Sequence, residues 1–119
     1  MQEIDLYVHP TCTSCRKAEA WLQEHDLAYE RRDYFRDRFS RDELAAILAS
    51  VGLTPRDVLS TRAKAYKELV GERELSDDQL LDLMIQEPTL LRRPLTISGN
   101  EAVIGFDRKG LEHLAADAG

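Results

Sequence analysis

Cysteine is scarce in this chain of 119 residues: there are two, Cys12 and Cys15, and they stand two residues apart. So few thiols exclude a disulfide framework of the kind that staples small secreted domains. Long apolar runs are missing as well. No segment approaches the ~20 apolar residues that a membrane-spanning helix needs. No early stretch joins a basic start to an apolar run, so no secretory signal or membrane contact is expected, and the cytosol is the expected compartment. Basic residues are not in excess: the formal net charge is −6, which disfavours non-specific nucleic-acid binding over the whole surface but leaves room for a local anion site. Internal repeats, low-complexity tracts and Gly/Ser linkers are absent, which favours one domain. Histidine is rare too. His9, His25 and His113 stand in no recognised zinc-ligand spacing with the cysteines, so neither a metal nor a cofactor is expected.

Hydrophobic residues make up 43% of the chain and charged residues 32%, an ordinary globular balance. At this length a domain can bury its own core without crosslinks. Ile4 to Val8 reads as a short buried strand that Pro10 ends. Thr13 to Gln23 reads as a helix with Ala18, Trp21 and Leu22 on one side and Arg16, Lys17 and Glu19 on the other. Leu27 to Asp33 would add a second strand, completing a β-α-β opening.

The middle is helical by its punctuation. Ser40-Arg-Asp-Glu43 is a capping box before Leu44, Ile47, Leu48 and Val51, and Gly52 stops that helix. Thr54-Pro55 is an N-cap followed by proline, which predicts another helix start. Ser76-Asp-Asp-Gln79 repeats the capping pattern before Leu80, Leu81, Met84 and Ile85, with Pro88 as its limit. Pro94 to Ser98, Gly99-Asn100 and Ala102 to Ile104 then read as a hairpin. Asp107 caps a last helix carrying Leu111 and Leu114. The order β-α-β, helices, β-β-α predicts an α/β sandwich on a mixed four-stranded sheet, with the helical middle as an insertion.

The cysteine spacing has a geometric consequence. Residues three apart on a regular helix have Cβ atoms about 5–6 Å apart, whereas a disulfide needs roughly 3.5–4.5 Å. The pair can close if its first member sits at the N-cap. The break at Pro10 places Cys12 there, with Cys15 in the first turn and facing inward. Free N–H groups and the positive end of the helix dipole stabilise a thiolate at that position. Thiols so placed titrate at roughly 3.5–7.5 instead of about 8.5. Arg16, one turn on, and His9, before the turn, are candidate sources of further positive charge, and the same N–H groups would hold an oxyanion. Redox chemistry, a metal site and coincidence are the three readings of the pair, and the first is preferred.

Four separated segments resemble one family: His9-Pro-Thr-Cys-Thr-Ser-Cys-Arg-Lys-Ala18, Leu59-Ser-Thr-Arg62, Leu90-Leu-Arg-Arg-Pro-Leu95 and Gly105-Phe106. In their order and spacing the chain is similar to members of the ArsC/Spx family of thioredoxin-fold proteins. The resemblance implies a single domain over 1–119, with a thioredoxin-like core at about 1–35 and 90–117 and a helical insertion at about 40–88. It also implies a nucleophile at Cys12, and an arginine-proline pair at Arg93-Pro94 facing it, with Pro94 cis.

The family has two branches. One reduces arsenate, with a thiolate attacking the oxyanion and arginines neutralising it. The other, Spx-like, senses oxidation through a Cys-x-x-Cys disulfide and binds the C-terminal domain of the RNA polymerase α subunit. Of the three arginines that surround the single active-site cysteine in one group of reductases, Arg93 has a counterpart here. Ser60 and Phe106 stand where the other two would be, with Arg62 and Arg92 nearby in sequence as substitutes. The Cys-Thr-Ser-Cys, Ser-Thr-Arg and Arg-Arg-Pro wording is closer to the Spx branch.

The first functional expectation is a thiol oxidoreductase. Cys12 attacks arsenate or a similar oxyanion, Cys15 resolves the adduct to a 12–15 disulfide, and a thioredoxin-like dithiol resets the pair. Arg93 is its third catalytic residue, with Arg16, Arg62, Arg92, Pro94 and His9 lining the substrate. The alternative is a redox-sensing regulator that contacts the polymerase through the region from Gly52 to Arg62. Arg31 to Phe39 mixes arginine with aromatics, a pattern that can mark nucleic-acid binding. Its aspartates dilute the charge, so it reads as a loop whose rings anchor to the core, without direct nucleic-acid contact.

Overall fold

The computed structural model describes residues 3–9 and 11–118; the expected break at Pro10 lies outside the described residues. Contacts divide the chain into two compact units, one from Met1–Asp37 with Arg93–Gly119, the other from Arg38–Arg92.

The first unit is built on a sheet. β1 (Ile4–Val8), β2 (Glu30–Asp33), β3 (Leu95–Ser98) and β4 (Glu101–Ile104) lie in the order β2-β1-β3-β4. β1 runs parallel to β2, with Leu6 opposite Arg31, and antiparallel to β3, with Leu6 opposite Thr96. β3 and β4 form the expected hairpin, Ser98 pairing with Glu101 across Gly99-Asn100. Gly99 has φ +59°, which a two-residue turn with glycine first requires. α1 (Thr13–Glu24) follows β1, and α4 (Arg108–Ala118) follows β4 and packs on β3 and β4. Alternation along β1 puts Ile4, Leu6 and Val8 on one face, where they join Cys15, Ala18 and Leu22 of α1 and Leu111 and Leu114 of α4 in one apolar cluster. Each buried aliphatic of this kind contributes about 1.5–3 kcal/mol. A Cβ on Gly110 would meet both Asp107 Oδ2 and Val103 Cγ1 at 3.1 Å, so a larger residue there would make these side chains give by a few tenths of an ångström.

β2 begins at Glu30, three residues later than expected. The Leu27 N–H still donates to the Leu22 carbonyl at 3.0 Å, so the chain at Leu27 is still closing the end of α1 and is not yet free to pair.

The second unit holds α2 (Arg41–Ser50) and α3 (Asp77–Gln86). Both expected serine caps form: Ser40 Oγ accepts from Glu43 N and Ser76 Oγ from Gln79 N. Arg41 pins the helices together through Asp78 at 3.0 Å and Asp82 at 2.6 Å. The helix expected after Thr54-Pro55 is a four-residue 3₁₀ turn, Pro55–Val58. It stops there because Leu59 pairs with Leu91 in an isolated antiparallel bridge, flanked by Ser60 N to Leu90 O (2.6 Å) and Arg92 N to Val58 O (2.8 Å). A five-residue π-helical turn, Tyr66–Val70, has no counterpart in the sequence reading.

Candidate functional site

The carboxyl end of β1 delivers the chain to His9. The Cys12 N–H donates to the His9 carbonyl at 3.2 Å, and the Cys12 carbonyl receives the first helical bond, from Arg16 N, also at 3.2 Å. Cys12 therefore has extended geometry, φ −80° and ψ 120°, and is the N-cap of α1. Its sulfur accepts the Cys15 N–H at 3.2 Å, in the place where a serine or aspartate oxygen ordinarily caps a helix. No acidic residue occupies the first turn of α1. The positive end of the helix is thus left to the sulfur.

The two thiols are free and differ in environment. Cys12 is half-buried, whereas Cys15 is 3% exposed within the apolar cluster. Burial, and then the hydrogen bond with Cys12, push the Cys15 thiol up to about 12, against smaller opposing effects of the His9 backbone and the Arg93 charge. At neutral pH Cys15 keeps its proton. Cys12 is the thiol that reagents can reach, and Cys15 waits behind it.

Arg93 comes from the segment just before β3. Its bond to Pro94 is cis, and Pro94, itself buried, holds Gly105 N on its carbonyl at 2.8 Å. The guanidinium lies 5.7 Å from the centre of the Phe35 ring, within cation–π range. It also hydrogen-bonds the buried phenol of Tyr34, whose own acidity is driven down chiefly by desolvation. The Arg93 Nε is buried and has no hydrogen-bond partner among the described residues. His9 meets the Phe35 ring edge-on with centroids 4.1 Å apart, and its Nδ1 accepts from the Thr11 N–H at 3.2 Å. His9 thus braces Phe35 with its ring and serves Cys12 through its carbonyl.

Cys12, Cys15, His9, Arg93 and Pro94 all belong to the sheet unit. Arg16 does too, with its side chain exposed. Arg62 and Arg92 are exposed residues of the helical unit, Arg92 tied there by its backbone bond to Val58. Ser60 also lies in that unit, and Phe106, half-buried against the apolar cluster, has the Arg108 guanidinium 6.0 Å from its ring. Tyr34 and Phe35 were read from sequence only as anchoring rings. Their signal was position: an aromatic pair directly after β2 falls at the same sheet end as the turn after β1.

Three arginines of the Arg31–Phe39 segment, Arg31, Arg32 and Arg38, are engaged within the protein. Arg31 meets Glu19 at 3.3 Å, Arg32 meets Asp37 at 3.2 Å, and Arg38 donates to the Ile85 and Gln86 carbonyls at 2.6 and 3.2 Å. No group of three or more potential metal ligands occurs among the described residues, and no described helix is long and apolar enough to cross a membrane.

A family model for the ArsC family matches residues 7–114. The chain belongs to the ArsC family. Among curated relatives, the global transcriptional regulator Spx of Streptococcus pyogenes serotype M3 is 40% identical over 105 residues, covering 87% of this chain and 78% of the relative. The regulator of the same name from Streptococcus mutans is 39% identical, over 87% and 77%. Among solved structures, an arsenate reductase from Vibrio cholerae superposes with a TM-score of 0.81 at 26% identity over 97% of both chains. The α/β fold of this ArsC-family chain, with its mixed four-stranded sheet, is the thioredoxin-like one that the sequence resemblance implies.

Proposed function

We propose that this ArsC-family protein is a dithiol redox switch of the Spx kind. The observation that carries the reading is the capping bond from Cys15 N to Cys12 Sγ, with a protonated, buried Cys15 behind an accessible Cys12. Attack by the Cys12 thiolate on a hydroperoxide gives a sulfenic acid and releases the alcohol or, from hydrogen peroxide, water. Cys15 then displaces hydroxide from the Cys12 sulfur and gives up its proton, so a second water leaves and the S–S bond forms. Two electrons pass to the oxidant, and a thioredoxin-like dithiol returns them. Identity to curated Spx regulators near 40%, against 26% to the reductase, supports a signalling use of that disulfide, read by the C-terminal domain of the RNA polymerase α subunit.

The test has two parts. Reduced protein is exposed to peroxide and its thiols are counted by mass; loss of two hydrogens confined to the 12–15 peptide is expected. Capture of the polymerase domain by oxidised and reduced protein is then compared. Equal absence of binding in both states removes the signalling half, and two persistently free thiols remove the whole reading.

One observation favours a second reading, reduction of arsenate or a similar oxyanion: the buried Arg93 Nε, without a partner among the described residues, beside the thiols. A charge-assisted bond from that N–H would suit an oxyanion attacked by Cys12. Arsenate turnover coupled to thioredoxin, faster in wild type than in Cys12→Ser, is the outcome this reading expects.

A further inference from the structure

The strap between β2 and the helical unit supplies two rings to Arg93, and neither ring is part of the cysteine motif. Tyr34 is 2% exposed, its ring centre 5.0 Å from that of Phe35. Phe35 is braced by His9 on one side and carries the guanidinium 5.7 Å from its centre. A guanidinium held in this manner cannot turn to water without giving up both the ring and the phenol oxygen. With Nε lacking a partner among the described residues, the phenol is the buried acceptor that keeps the arginine in place. Losing such a contact leaves a charged group short of an acceptor, which makes a solvent-facing rotamer competitive.

We infer that Tyr34 is a positioning residue: its hydroxyl, with the Phe35 ring as backing, fixes the Arg93 guanidinium beside the Cys12–Cys15 pair and so sets the reactivity of that pair. The charges that act on the Cys15 sulfur are those of Cys12 and Arg93, and both sulfurs act in turn on the Tyr34 phenol. Arg16 lies one helical turn beyond Cys12 with its side chain exposed. The thiolate form of the pair is favoured by the fixed cation. Releasing Arg93 to solvent therefore lowers thiol reactivity and makes the disulfide harder to reduce. The inference rests on the dithiol reading for its second measurement only.

The experiment is a double-mutant cycle on the full chain with Tyr34→Phe, which keeps the ring, and Arg93→Ala. Two quantities are read: the rate of alkylation of reduced protein by iodoacetamide, and the equilibrium constant of the disulfide against glutathione. Tyr34→Phe is expected to slow alkylation and to shift the equilibrium toward the disulfide, each about three- to tenfold, tenfold being about 30 mV for this couple. Arg93→Ala should do at least as much, and the double variant should match Arg93→Ala alone. An unfolding midpoint near that of wild type shows that packing is kept. Rates for Tyr34→Phe equal to wild type, or an undiminished Tyr34 effect in the Arg93→Ala background, overturn the inference. A wild type that forms no disulfide in oxidised glutathione overturns the dithiol reading instead, while the alkylation arm still decides the role of Tyr34.

Discussion

In the helical unit, α2 and α3 each begin on a serine whose hydroxyl takes a backbone N–H, and each places two carboxylates in its first turn, Asp42 and Glu43 in one and Asp77 and Asp78 in the other. In the sheet unit, α1 begins on a sulfur and has no acid in its first turn. All three starts satisfy the same need for an acceptor at the helix N-terminus. Carboxylates near that end add roughly 0.3–1 kcal/mol each, and the helical unit takes that stabilisation twice over. The sheet unit forgoes it. What it keeps is an uncompensated positive end directed at the one sulfur that reagents can reach, so the same local geometry serves stability in one unit and chemistry in the other.

The largest effect that would break this contrast is chemical. Cys12→Ser restores an ordinary oxygen cap, so α1 should stay folded and gain up to about 1 kcal/mol, while peroxide-driven disulfide formation falls to zero. Thiol counting by mass together with thermal unfolding reads both. A variant that still oxidises within the 12–15 peptide would deny Cys12 its role, and one that unfolds would deny that its sulfur is only a cap.

Next in size is a pH effect confined to the sheet unit. The buried Cys15 thiol is held up to about 12, above the 9.0 of a free thiol. Above pH 9 the unfolded chain therefore sheds a proton that the folded chain retains. Stability contributed by the neutral, buried thiol is intact below pH 9 and drains away between pH 9 and 12. Reduced wild type should lose stability across that window more steeply than Cys15→Ala, as followed by denaturant titration at successive pH values. Parallel curves would place Cys15 in a far wetter setting.

Local signals make much of this architecture legible in the sequence. β1, the hairpin and the starts of α2 and α3 rest on alternation, a Gly-Asn turn and serine caps, each contained within a few neighbouring residues. Where the reading missed, a distant partner was responsible. The 3₁₀ turn at Pro55–Val58 is cut short by Leu91, thirty-two residues past Leu59; no capping rule sees that bridge. The late start of β2 comes from Leu27 still bonding to Leu22. At the candidate site the thiols and their cap were readable from spacing, because a helix N-terminus is a local object. The setting of Arg93 was not, since Tyr34 and Phe35 meet it across a gap of about sixty residues that the parallel-antiparallel sheet closes.

A smaller effect tests the other half of the contrast. Ser76→Ala removes the α3 cap, whose oxygen takes Gln79 N at 3.2 Å while the Gln79 side chain answers to Ser76 N at 2.8 Å. The expected cost is about 1 kcal/mol, seen as a lower denaturation midpoint. Alkylation of Cys12 should be unchanged, because this cap serves stability alone.

The smallest expected change is also the most direct. Thr13→Asp puts a carboxylate at the first position of α1, where α3 carries Asp77. Thr13 is exposed, so the substitution disturbs no packing. If helix electrostatics is what separates the two kinds of start, the new acid should stabilise the fold by roughly 0.3–1 kcal/mol. It should also slow Cys12 alkylation about threefold at low salt, with the difference shrinking as salt is raised through the Debye range. The two effects have one cause and opposite value: charge that steadies the helix is charge taken from the thiolate. Stabilisation with no loss of thiol reactivity would mean that the bare start of α1 contributes nothing to the chemistry of Cys12, and that Arg93 with its two rings carries it instead.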